Sequence, residues 1–168
     1  MNNLAMPHFE APRSFPPVFR ADARVLILGS MPGAASLRQQ QYYAFARNQF
    51  WPLMAELCGF SCALPYEARL AALRNCGIAL WDVLASCERD GSADAAIRRP
   101  VPNDLPGLLT HLPQLQKILC NGTASGRYLG RFFPELRKKA CVLPSTSPAA
   151  ANLSYAEKRE FWHAALMD

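Results

Sequence analysis

Arg24-Val25-Leu26-Ile27-Leu28-Gly29 is a short continuous apolar run closed by a glycine. Successive positions are apolar alike, so both faces of the segment face a core, as in a parallel strand covered by helices on each side. Ser30-Met31-Pro32-Gly33-Ala34-Ala35-Ser36 reads as a turn-rich loop at the C-terminal end of that strand. Three later segments repeat the pattern: Gly77-Ile78-Ala79-Leu80-Trp81-Asp82-Val83, Lys117-Ile118-Leu119-Cys120-Asn121-Gly122 and Lys139-Ala140-Cys141-Val142-Leu143. Helical spacing lies between them. It runs over about 48–58, with Pro52 suited to a first turn, and over 66–74, with Leu70 and Leu73 inward. Asn103 and Asp104 can cap a helix reaching about His111, and 123–133 reads as another. Ser154-Tyr155-Ala156-Glu157 is a capping box that opens a last helix, with Phe161, Trp162, Ala165 and Leu166 as its apolar face. Residues 86–102 read as a polar loop. The alternation predicts an α/β fold, a mostly parallel sheet between two helical layers. Residues 1–22 are expected to be an irregular arm, and 23–168 a single domain.

A chain of 168 residues is about one domain, on a scale of roughly 100–200 residues per domain. Its 51% hydrophobic and 18% charged residues allow a sizeable core and exclude a disordered chain. A net charge of +5 permits a polyanionic partner without demanding one. No apolar run approaches the roughly 18 residues of a membrane span. Residues 1–19 lack the basic start and apolar stretch of a secretory signal. Cys58, Cys62, Cys76, Cys87, Cys120 and Cys141 include no C-x-x-C pair, and His8, His111 and His163 are remote from them. The cysteines are therefore expected as free thiols acting as small buried hydrophobes. No metal site is expected, and the location is expected to be cytoplasmic.

Ligands of such sheets sit beyond the C-terminal ends of the strands. That rule selects residues 29–36, Trp81-Asp82, Asn121-Gly122-Thr123 and 144–152. These loops contain no phosphate-binding loop, dinucleotide fingerprint or nucleophile elbow. Asp82 is the one acidic residue at a strand end, too few for a paired-carboxylate hydrolase or a two-metal nuclease. The loops hold small residues, hydroxyls and amides instead. Ser145, Thr146 and Ser147, between Pro144 and Pro148, form either a phosphate-holding turn or a solvated one. In Gln39-Gln40-Gln41-Tyr42-Tyr43-Ala44-Phe45-Ala46-Arg47-Asn48-Gln49-Phe50-Trp51, amides and aromatics interleave. That mixture suits stacking and edge recognition of a nucleobase, or filling of the core, which Phe50 and Trp51 fit best. Arg137-Lys138-Lys139 reads as a solvated charge run.

Leu28-Gly29-Ser30-Met31-Pro32-Gly33, Gln41-Tyr42-Tyr43-Ala44 and Arg47-Asn48-Gln49-Phe50-Trp51 together resemble the first motif region of the uracil-DNA glycosylase superfamily. Leu143-Pro144-Ser145-Thr146-Ser147-Pro148-Ala149 resembles the second motif of its hypoxanthine-DNA (deoxyinosine) glycosylase branch. The 77–84 segment and Asn121-Gly122 resemble the intervening strand ends. The resemblance spans residues 17–165. It implies a three-layer αβα sandwich with a central parallel four-stranded sheet. It also implies a metal-independent, monofunctional enzyme that needs no cofactor and cuts the N-glycosidic bond of a deaminated base flipped out of DNA.

The resemblance also implies roles. Asn48 matches an Asn of the family and is expected to position the attacking water. Tyr43 matches the aromatic on which the base stacks. Gly29, Ser30, Met31, Pro32 and Gly33 would floor the pocket, with Asn121 as a further base contact. Ser145, Thr146 and Ser147 would grip the flanking phosphates, and Leu153 is the nearby candidate for a wedge into the vacated stack. Two departures stand out. Met31 occupies the position where other branches carry a water-orienting Asn or Asp. Phe45-Ala46 replaces the family's His-Pro. The expected base is hypoxanthine, with uracil or xanthine as options, and the expected partner is DNA, met by a monomer. The alternatives are a non-catalytic module of the same fold that binds damaged bases or nucleotides, and a hydrolase of free nucleosides.

Overall fold

The computed structural model describes residues 11–168; residues 1–10 of the expected arm lie outside it. Up to residue 102 the chain holds β1 (Val25–Gly29), α1 (Ala34–Gln39), α2 (Phe50–Cys58), α3 (Tyr66–Asn75), β2 (Ile78–Asp82), β3 (Leu84–Glu88) and β4 (Arg98–Pro102). Beyond it come α4 (Leu105–Leu109), β5 (Lys117–Asn121), α5 (Thr123–Phe132), α6 (Pro134–Lys139), β6 (Ala140–Leu143) and α7 (Tyr155–Met167). β2, β1, β5 and β6, in that order, form one sheet, and every neighbouring pair is parallel. The fold is the expected αβα sandwich. The four expected strands form it, and β1 is buried along its whole length.

The two faces of the sheet divide the core by the alternation of side chains along each strand. Val25 and Ile27 of β1, with Ile78, Leu80, Leu119 and Leu143, pack under α2, α3 and α7 through Phe50, Met54, Leu73 and Trp162. Leu26 and Leu28, with Ala79, Ile118 and Cys120, pack under α4 and α5 through Leu105, Leu108 and Leu129. The described part of the arm lies along β2. Val18 exchanges backbone hydrogen bonds with Leu80 at 2.8 and 2.9 Å, and Phe15 enters the first core. The arm therefore covers an otherwise open sheet edge.

Three expectations need correction. Residues 86–102 are not a simple loop, because β3 and β4 pair antiparallel as a two-stranded hairpin beside the main sheet. Pro100 and Pro102 argue against a strand in sequence, yet proline is tolerated where no further strand pairs. Phe161 does not share the buried face of α7 and is 54% exposed, whereas Trp162 is fully buried. Adjacent helical positions are turned about 100° apart, so only one of the two can point at the core. The cysteines are free, but only Cys87 and Cys120 are buried, and Cys62, Cys76 and Cys141 are exposed. A shorter departure is α1, which converts the end of the first expected loop into helix.

Trp162 joins fold to loop. Its indole N–H donates to the Pro144 carbonyl at 2.9 Å, fixing the chain just after β6. Trp162→Phe keeps most of the apolar contact and leaves that carbonyl without its partner. It is expected to lower stability by about 1–3 kcal/mol, read as a shift in the urea unfolding midpoint.

Candidate active site

A cleft of about 510 Å³ opens beyond the C-terminal ends of the strands, within the roughly 300–1,000 Å³ of small-ligand sites. The residues expected to bind the base, the water and the phosphates line it: Gly29, Ser30, Met31, Pro32, Gly33, Tyr43, Asn48, Asn121, Ser145, Thr146 and Ser147. Leu153 does not. It lines a neighbouring depression of about 440 Å³ with Arg47, Gln49, Tyr155 and Lys158.

The floor depends on Gly29. In register it faces Asp82 of β2, and a Cβ there would lie 2.3 Å from Asp82 Oδ1 and 3.0 Å from the Tyr43 hydroxyl. Only a residue without a side chain lets both groups close over the strand end. In the loop beyond, the carbonyls of Ser30 and Gly33 accept from Leu84 and Leu37, and the Pro32 carbonyl accepts from the Arg89 guanidinium. The N–H groups of Met31 and Gly33 take no partner among the described residues. The Met31 side chain is buried in the second core, so this position offers the cleft its backbone and no water-orienting group.

Tyr43 is held in the left-handed region at φ 53°, a costly conformation for a bulky residue and one that clusters at functional sites. One face of its ring stacks on Phe50 at 4.0 Å between centroids. Asn48 stands just before α2, where its Oδ1 accepts from the Phe50 N–H at 2.9 Å. That bond fixes the amide plane and leaves the second lone pair of Oδ1 and both Nδ2 hydrogens without partners among the described residues. Phe45, at the position of the family's His-Pro, is 49% exposed at the mouth of the cleft.

Asn121 and Thr146 bind each other. Asn121 Nδ2 donates to the Tyr43 hydroxyl at 3.1 Å and to Thr146 Oγ1 at 3.0 Å, while Asn121 Oδ1 accepts from the Thr146 N–H at 2.9 Å. Both amide hydrogens are therefore occupied, and the side chain braces the cleft instead of presenting free donors to a base. Thr146 is 1% exposed, and its carbonyl accepts from Gln49 N–H at 2.9 Å. Its N–H, its carbonyl and its Oγ1 as acceptor are all bound inside the protein, which ties the loop to Asn121. Ser145 and Ser147 stay half-buried, each hydroxyl oxygen accepting a local backbone N–H and each keeping a hydrogen to donate. Gly122 makes this packing possible: its φ is 96°, and a Cβ would meet Ser145 Cβ at 2.9 Å.

Sequence reasoning missed the hairpin wall. Ser92, Ala93 and Asp94, between β3 and β4, line the cleft. Ser30 Oγ donates to Asp94 Oδ1 at 2.6 Å, and the Ala34 N–H donates to Ser92 Oγ at 2.8 Å. Asp82 was visible as the one strand-end acid, but its state was not. It is 4% exposed, and its Oδ2 is sealed with no hydrogen-bond partner. Burial, and then the negative charge of Asp94, push its pKa up from 3.8 to about 7, against a smaller opposing pull from Arg89. Among the described residues, no three His, Cys, Asp or Glu side chains gather to hold a metal, and no helix is long and apolar enough to cross a membrane.

Two stability tests follow. Between pH 3.8 and about 7 the folded protein keeps the Asp82 proton that the unfolded chain has lost. The contribution of Asp82 to stability is thus fully present at low pH and is lost as pH rises through that window. Asp82→Asn should remove this decline and raise the melting temperature above pH 7, as thermal unfolding across pH will read. Gly29→Ala should cost about 1–3 kcal/mol through overpacking, measured by urea unfolding.

Known proteins share this arrangement. Residues 16–166 match the family described as the uracil DNA glycosylase superfamily. A hypoxanthine DNA glycosylase of Methanosarcina acetivorans is 38% identical over 152 residues, 88% of this chain and 92% of the relative. A hypoxanthine DNA glycosylase of Methanosarcina barkeri is 38% identical over 117 residues, 69% of this chain and 74% of the relative. A solution NMR structure from Methanosarcina acetivorans, described as a candidate uracil DNA glycosylase, superposes with a TM-score of 0.80 at 35% identity. The superposition covers 94% of this chain and 97% of that one. With the match extending over nearly the whole αβα domain and its strand-end cleft, the chain belongs to the uracil DNA glycosylase superfamily.

Proposed function

We propose that this protein is a DNA glycosylase that hydrolyses the N-glycosidic bond of a deaminated base, hypoxanthine first, with uracil and xanthine as the other candidates. The observation that carries the reading is the convergence of both motif segments, far apart in the chain, on one cleft at the strand ends. The names of the relatives support hypoxanthine. The target nucleotide leaves the stack and enters the cleft, where its base lies against Tyr43. Asn48, its amide plane held by Phe50, orients the water toward C1′. As the bond breaks, its electron pair moves onto the base, and the N–H groups of Met31 and Gly33 face that growing negative charge. Water adds to C1′, and its proton balances the departing base. The step as proposed uses water and protein dipoles alone and leaves the DNA strand uncut.

Ser145 and Ser147 hold the flanking phosphates, with Thr146 and Asn121 keeping their loop in place. The +5 charge adds a diffuse attraction to the backbone. The protein acts as a monomer on DNA. Oligonucleotides carrying hypoxanthine, xanthine, uracil or mismatched thymine, single- and double-stranded, test the reading. Alkali-labile sites are expected first at hypoxanthine. Asn48→Ala should fold normally and lose about 10²–10⁴-fold in release rate. A folded Asn48→Ala protein with full activity removes Asn48 from the reaction. Salt-dependent DNA binding with no release of any base overturns catalysis in favour of a binding module.

A further inference from the structure

We propose that Asp82 touches the flipped base and, as a neutral carboxylic acid, donates a hydrogen bond to it as it departs. The inference rests on the glycosylase reading and adds a residue to it. Asp82 closes β2 at the cleft floor, in register with Gly29, whose missing side chain lets the carboxyl lie over the strand end. It lines the cleft, it is 4% exposed, and Oδ2 has no partner. Buried polar atoms in native proteins nearly always have partners, and one without calls for an explanation. Two polar side chains beside it are engaged elsewhere. Asn121 binds Tyr43 and Thr146, and Asp94 binds Ser30. Oδ2 is enclosed by protein, so a base entering from the cleft meets the carboxyl through Oδ1, which no group among the described residues binds.

The surroundings select the neutral form. Asp94 faces Asp82 from the hairpin, Tyr42 and Tyr43 face it from the loop before α2, and Arg89, not paired to it, faces it from the chain just after β3. An ionised Asp82 would repel both Asp94 and the charge arriving on the base. A neutral acid instead strengthens its hydrogen bond as that charge grows, which lowers the barrier rather than merely aiding binding. The C1′–N bond breaks with its electron pair going to the base, the water oxygen bonds to C1′, and the proton from that water neutralises the base. Asp82 keeps its own proton.

Single-turnover base release from deoxyinosine DNA, measured on both sides of about pH 7, tests this. Wild-type release should slow as pH rises, with the break above that point because a bound base helps Asp82 keep its proton. Asp82→Asn retains an N–H donor at the same place. It should keep the rate within about tenfold and lose the pH dependence, while Asp82→Ala should lose about 10²–10³-fold. An Asp82→Ala protein that is folded and as fast as wild type overturns the proposal, as does the same pH profile in wild type and Asp82→Asn. A second readout stands apart from turnover: a carbon-13 NMR titration of the Asp82 carboxyl with free hypoxanthine, xanthine or uracil added. A bound base should raise its pKa, and no change with any of the three overturns the proposal. If wild type releases no base at all, the glycosylase reading fails and the titration alone decides Asp82.

Discussion

β1 lies between β2 and β5 with its residues matched to both, Val25 to Ile78 and Lys117, Leu28 to Trp81 and Cys120. A parallel sheet of this kind needs its central strands buried on both faces and every strand returned through a crossover. That constraint brings Gly29, Asp82, Asn121 and Leu143 to one edge. The helices and the core follow from the need to cover the two faces. The cleft follows from the strands stopping together while the loops beyond them rise away from the sheet.

At that edge hydrogen bonds between side chains and loops hold the loops to one another. Asn121 ties Tyr43 to the segment after β6, and Trp162 holds the same segment from α7. These bonds consume donors that might otherwise meet a ligand. The cleft is therefore lined by two kinds of polar group, those that brace it and those left open. Asn48, Ser145, Ser147, the N–H groups of Met31 and Gly33, and Asp82 belong to the second kind. A braced wall restricts the motion of the open groups, and such restriction is what orientation of a reacting water requires.

Much of this was legible in the amino-acid sequence, for physical reasons that differ by element. Strands buried on both faces announce themselves as unbroken apolar runs, so β1, β2 and β5 could be read directly, and β6, a less buried edge strand, carries the same apolar run. The capping box at Ser154 and Glu157 reports only local chemistry and is present as read. The hairpin escaped because β4 is largely exposed and interrupted by proline, and β3, though it buries Leu84 and Cys87, is too mixed to read as an apolar run. The braces escaped for another reason. Whether an asparagine binds a ligand or a neighbouring loop depends on contacts across 78 positions, as between Asn121 and Tyr43. Neither residue type nor spacing carries that information. The burial of Asp82 is of the same kind, since its carboxyl is enclosed by the hairpin, the first loop and Tyr43 together.

The β3–β4 hairpin stands outside the main sheet and reaches the first loop through Asp94, Ser92 and Arg89. One wall of the cleft is thereby separable from the frame that supports the rest. Changes in the length or composition of the hairpin tip would reshape the pocket without touching the register of any central strand. For evolution, and equally for a protein engineer, this is an interchangeable part. Selectivity among bases can drift there while the folding core, which cannot tolerate such experiments, stays as it is.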